Sequence, residues 1–192
     1  MRGQLYIGFA VIFVVLSIIL ASGWFRLHKT HTDYTVEMLS NIKSEYIGMV
    51  EYSLLYTGLE KNMNEFTRFL QERLKALGIT FHAIYSFSNG TDIVIGNWLA
   101  DSINNVIISV TDNSGPHIYT VSSIAPASST QVAASTSGPY AVNITYNIGG
   151  QQKSINYAAA AGSSAVSIEI SLDASSSLKG SDQFTIERKV LV

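Results

Sequence analysis

The chain contains no cysteine, which removes disulfides, zinc thiolate sites and thiol nucleophiles together. Charge is also scarce. Only 14% of the 192 residues are Asp, Glu, Lys or Arg, against about 25% in ordinary soluble domains. No basic patch of the kind that neutralises phosphates occurs, so nucleic acid is not expected as a partner. No G-x-S-x-G elbow surrounds a serine, and no Walker motif or phosphate-cradling glycine loop precedes a helix. From Asn113 to Gln152 there is no charged residue at all; the polar side chains there are Ser, Thr, Asn, Gln and one His. A cytosolic surface ordinarily carries more charge to stay soluble, so hydroxyls and amides in its place suit an extracytoplasmic domain that is glycosylated, packed in an assembly, or both.

What the chain does have is one long apolar run near its start. Leu5 to Phe25 holds no charge and no proline. At about 1.5 Å per residue it spans a hydrocarbon core of roughly 30 Å as a helix. Three fates fit it. A cleaved secretory signal would use Ala21-Ser22-Gly23 as its small-x-small site, although Trp24 and Phe25 continue the run beyond it. An uncleaved anchor would place Trp24 at the interface, with Arg26 and Lys29 just outside; Arg2 and the amino terminus balance these, so the charges do not choose an orientation.

The third fate rests on resemblance. Arg2-Gly3 followed by Gln4-Leu5-Tyr6-Ile7-Gly8-Phe9 and an unbroken apolar helix resembles the start of archaeal type IV pilin-like precursors, archaellins included. The resemblance implies a prepilin-type peptidase that cuts between Gly3 and Gln4. It also implies a retained helix that packs in a filament core. Gln in the first mature position is similar to one archaeal pilin subgroup. That subgroup usually has Glu at the fifth mature position; here it is Gly8, which is closer to archaellins. The stretches Asn41-Ile42-Lys43-Ser44-Glu45 and Leu59–Leu70 resemble a group of archaeal pilin-like membrane proteins in which β-strands follow.

From Asp33 to Leu77, apolar residues recur at steps of three and four: Val36, Leu39, Ile42, Tyr46, Val50 and Leu54, then Leu59, Met63, Phe66, Leu70, Leu74 and Leu77. This is one face of an amphipathic helix. Thr57-Gly58-Leu59-Glu60 has the form of a capping box, and Gly78 of a C-terminal stop. The spacing therefore predicts helices over 33–56 and 58–77, with the stripe packed on the sheet that follows or, as the alternative, serving as a partner-binding face.

After Gly78 the period changes to two. Predicted strands run Thr80–Phe87, Asp92–Gly96, Asn105–Thr111, His117–Ile124, Tyr140–Ile148, Gln152–Ala158, Ala165–Leu172 and Gln183–Val192, with Ala125–Pro139 as a long Ser/Thr/Ala-rich loop. Tyr140, Val142, Ile144, Tyr146 and Ile148 alternate with polar or small residues, as do Val166, Ile168, Ile170 and Leu172. Each pattern predicts one buried and one wet face. Gly149-Gly150 reads as a hairpin turn.

The expected architecture is α+β: a candidate leader over 1–3, a transmembrane helix over 4–25, an amphipathic helical stalk over 26–78, and a pilin-like antiparallel β-sandwich surface domain over 79–192. Two N-x-S/T sequons, at Asn89 in a turn and Asn143 on a wet strand face, are candidate glycosylation sites. His28 and His31 share helical spacing, but Lys29 stands between them and Asp33 is out of step; no metal site is expected. His82 and His117 stand singly in strands. Asp112-Asn113-Ser114-Gly115 has a calcium-loop flavour, yet lacks the closing Glu and reads as a turn. No cofactor and no catalytic residue is expected. The expectation is a membrane-anchored, single-pass cell-surface protein, a pilin-like subunit or minor component of an archaeal surface filament. Its partners would be membrane lipid, the peptidase and other pilin-like subunits. The alternatives are a non-polymerising anchored adhesion or binding domain and an accessory subunit of a membrane complex.

Overall fold

A computed structural model describes residues 31–56, 58–174 and 178–189. The apolar run and the Gly3–Gln4 junction lie outside the described residues. No helix among those described is long and apolar enough to cross a membrane.

Two helices come first, α1 (His31–Tyr56) and α2 (Leu59–Ala76). Nine strands follow: β1 (Thr80–Ser88), β2 (Asp92–Trp98), β3 (Ile103–Asp112), β4 (Gly115–Ile124), β5 (Ser128–Ala133), β6 (Tyr140–Ile148), β7 (Gln151–Ala159), β8 (Ser163–Ala174) and β9 (Leu178–Lys189). They form two sheets of antiparallel pairs, β5-β2-β1-β8-β9 and β4-β3-β6-β7. The class is α+β, in three layers: helices, five-stranded sheet, four-stranded sheet.

The layers enclose two cores. On one side of the five-stranded sheet, Tyr46, Val50, Met63, Leu70 and Leu74 of the helices meet Phe81, Tyr85, Val166, Ile168 and Ile170. On its other side, Ile84, Ile93, Ile95 and Ala165 meet Ile108, Val142, Ile144 and Tyr146 of the four-stranded sheet. Each large side chain so buried contributes roughly 1.5–3 kcal/mol. The amphipathic stripe is thus consumed inside the molecule, except at Val36 (63% exposed) and Leu77 (54%).

α1 packs over β9 and β8, and α2 over β1 and β2. At the first contact Lys43 donates to Asp182 at 3.0 Å and lies over the Phe184 ring, 5.3 Å from its centroid. The two helices join through Tyr46, whose ring meets Phe66 edge-on at 4.8 Å. Its hydroxyl lies 2.7 Å from that of Thr67, which in turn donates to the Met63 carbonyl. Burial pushes the Tyr46 phenol well above its ordinary pKa.

Several expectations need correction. The helix break falls where Thr57-Gly58 suggested, but not through a capping box. Gly58 itself is the cap, left-handed at φ 89, with no side-chain cap bond. The Glu60 carboxylate is engaged elsewhere, accepting from Ser129. The Gly78 stop is found as expected: its φ is 73, its N–H donates to Lys75, and Ile79 reaches back to Leu74, closing the carbonyls of the last turn. The predicted loop over 125–139 contains β5, which pairs with β2 from Asp92↔Ala133 to Asn97↔Ser128. An edge strand is defined by backbone pairing on one side and needs no apolar alternation, so its Ser/Thr composition concealed it. β8 has the predicted wet face only in its second half, where Glu169 and Ser171 are half-buried and Asp173 is exposed. Residues 163–168 are all buried, Ser167 among them, because this strand lies between the helices and the second sheet, and small hydroxyls fit the inter-sheet side. β3 starts two residues earlier than predicted. An irregularity between Asn104 and Ile107, with Asn105 at φ 50, absorbs the residue that would otherwise turn Ile103 outward.

Candidate functional site

Three surface features gather the candidate residues, the first two through distant partners and the third through local bonds. The first is an open groove of about 500 Å³ between α2 and the β4–β5 connection, lined by Glu60, Asn64, Arg68, Trp98, Ala127 and Ser129 among others. Its floor is a closed hydrogen-bond network. Asn64 Oδ1 accepts from the Tyr85 hydroxyl at 2.7 Å and from Trp98 Nε1 at 3.1 Å. Asn64 Nδ2 donates to Ser129 Oγ at 3.3 Å, which donates to Glu60 at 2.6 Å. Two turns further along α2, Gln71 Nε2 donates to the Phe81 and Trp98 carbonyls. Burial, reinforced by the nearby Glu60 charge, pushes the Tyr85 phenol up. Every polar group of this floor has a protein partner, so its chemistry is that of a clasp, with the charged rim of α2 left to solvent. The sequence pattern marked Glu60 only as a cap and left Asn64 unnoticed. The available signal was i,i+4 polar spacing beside the apolar stripe.

The second feature is the β3–β4 turn. Asp112 Oδ1 accepts from Ser114 N at 2.8 Å and Ser114 Oγ at 2.6 Å, while Oδ2 accepts from the Ser137 amide. These bonds, the Ser114 hydroxyl foremost, lower the carboxyl pKa to about 2. His117 Nε2 lies 2.9 Å from Ser114 Oγ and 3.7 Å from Asp112 Oδ1. An aspartate, a serine and a histidine therefore meet, though the sequence suggested no such trio. Their geometry is not that of a nucleophile relay. The serine proton points to the carboxylate, and that carboxylate faces the same ring nitrogen as the serine rather than the opposite one. What the carboxylate does is hold the β5–β6 linker. Asn113 N also donates to Ser137 O, and Gly138 packs under the Asn113 side chain.

The third feature is the pair of sequons. Asn89 is exposed; its Oδ1 accepts from Thr91 N, Thr91 Oγ1 and Asp92 N, which orders the β1–β2 turn. Asn143 is exposed at the centre of β6, between Ser109 of β3 and Asn156 of β7. The two are on different sheets and do not form one site. Gly3, Gln4 and His28 lie outside the described residues. Among the described residues no group of three or more His, Cys, Asp or Glu could hold a metal ion.

Asn97, unremarked in the sequence, is fully buried where the chain leaves one sheet for the other. Its Nδ2 donates to the Asp101 and Ile124 carbonyls, and its Oδ1 accepts from Leu99 N.

Comparisons of the chain with family models, with curated proteins and with solved structures find no match.

Proposed function

We propose that the chain is a membrane-anchored extracytoplasmic structural protein, a pilin-like subunit or minor component of an archaeal surface filament. The observation that carries this reading is the order of segments. Arg2-Gly3 precedes an uncharged run that ends at Phe25, and α1, starting at His31, is packed along β9 and β8 of the sheet domain. An apolar run so close to a helix bound to the sheets suits a stalk with its head attached. In this reading the stalk enters the membrane, a prepilin-type peptidase cuts between Gly3 and Gln4, and the freed helices bundle by side-chain packing with their copies while the sheets face outward. The role is assembly rather than catalysis. Asn89 and Asn143 are the candidate glycan acceptors.

Intact mass of the protein from native membranes tests this. Loss of residues 1–3 is the expected result; an intact start, or cleavage after Gly23, overturns it. A second reading, an anchored binding domain that does not polymerise, is favoured by the groove beside α2. It predicts ligand binding by full-length protein in detergent that is lost on filling the groove with Ser129→Trp.

A further inference from the structure

The outer face of the four-stranded sheet differs from the rest of the surface. In register across it run Ile118, Ser109, Asn143 and Asn156, one from each of β4, β3, β6 and β7. The row beside it includes Ile107, opposite Thr120. No outward position on any of the four strands is Asp, Glu, Lys or Arg. Lys153, the one charged residue of β7, alternates to the other side and meets Glu169 at 3.6 Å. Ile118 (68% exposed) and Ile107 (43%) are neighbours on this face. The opposite side of the molecule, the outward surface of α2, carries Lys61, Glu65, Arg68, Glu72 and Arg73, all exposed.

We propose that this face docks against the same face of a second copy of the chain. The inference rests on the reading of the protein as an anchored assembly subunit; because the helices lie on the far side of each head from this face, the contact joins heads whose stalks stand on opposite flanks of the pair and belong to different bundles. Three arguments select a second copy. Two identical charge-free faces do not repel, and burying them strands no ion; Ser, Thr and Asn donate and accept alike, so the surface can satisfy itself. Four strands spaced about 4.8 Å apart and nine residues long present a footprint of roughly 600 Å². Side-chain relief brings its accessible area near the ~800 Å² per partner of a stable contact. The layering allows it as well. α1 lies flat on the five-stranded sheet, so its axis runs parallel to the outer face. A two-fold axis in that plane, along α1, sends both stalks in one direction and into one membrane. The two isoleucines form an apolar patch on the β4–β3 side of the face, and the amides of β6 and β7 extend from it.

The contact and a glycan on Asn143 exclude each other, which leaves Asn89 as the glycan acceptor. Because the native chain has no cysteine, a single introduced thiol reports only on its own copy. In full-length protein in native membranes, Asn143→Cys is expected to give a covalent dimer with a short bis-maleimide, and Arg73→Cys is not. Ile118→Lys added to Asn143→Cys is expected to reduce the dimer at least tenfold. It leaves the fold intact, since the side chain is already in solvent. Equal cross-linking at both positions, no effect of Ile118→Lys, or a glycan found on Asn143 overturns the proposal. So does retention of a monomeric chain on cell-surface polysaccharide through this face. The outcome is separable from the function test. A mature start at Gln4 with no dimer removes the contact alone, and a dimer with residues 1–3 retained removes the processed-subunit reading alone.

Discussion

Gly96 stands across from Tyr85 in the β1–β2 pair, and the tyrosine ring lies over it. A Cβ at Gly96 would sit 2.1 Å from a ring carbon that cannot retreat, because the hydroxyl beyond it is held by Asn64. Gly96→Ala is therefore expected to lower unfolding free energy by roughly 1–3 kcal/mol, the usual cost of overpacking, measured as a shift in the urea midpoint of the full chain in detergent. An unchanged midpoint would mean the ring is free to move. The same glycine shows what was and was not legible at this scale. Read from the sequence it ended a strand, since an isolated glycine is a weak strand residue. In the structure β2 runs on to Trp98, and the glycine is there for close approach. Asn64 and Asn97 escaped notice for a related reason. Asn64 meets Tyr85, Trp98 and Ser129, and Asn97 reaches Ile124, all tens of positions away; the local spacing beside each asparagine does not name those partners.

Elements whose sides differ were readable; elements whose two sides are alike were not. β6, with Tyr140, Val142, Ile144 and Tyr146 inward, matches its predicted bounds and faces, because sheet on one side and solvent on the other leave a period of two. β8 shows the alternation too, but its first half has protein on both sides, so the pattern marks the strand and overstates its wet face; β5 has little core contact and carries no such contrast. The linker after β5 carries even less signal and is positioned by Asp112. This dependence is testable by pH. The Asp112 pKa is about 2 in the fold, against about 3.9 in an unfolded chain. Its contribution is therefore complete above pH 4 and is lost as pH falls through 2. The stability gap between wild type and Asp112→Ala is expected to be constant from pH 7 to about 4 and to close towards pH 2. A gap independent of pH would show that the carboxylate charge does not hold the linker.

At the scale of the whole molecule, the helices are one wall of a core rather than a separate spacer. Removing them would bare Phe81, Tyr85, Phe87, Val94 and Trp98 on one side of the five-stranded sheet. A fragment of residues 79–192 is accordingly expected to aggregate or bind a hydrophobic dye where the full chain in detergent does not. A soluble fragment with a cooperative thermal transition would refute that. The stripe on 33–77 made this packing legible, since an amphipathic face implies something to cover it. The three-layer order was not legible, because which sheet receives the helices depends on strand order and not on strand content. That order has a temporal side. β1, the centre of the five-stranded sheet, pairs along one edge with β8 from Thr80↔Asp173 to Ser88↔Ala165. Loop closure over so long a stretch slows folding. During synthesis the helices and β1 emerge early and must wait for almost the whole chain. Until then an apolar strand stands with one edge open, at the stage when a chaperone or a neighbouring nascent chain can most easily capture it.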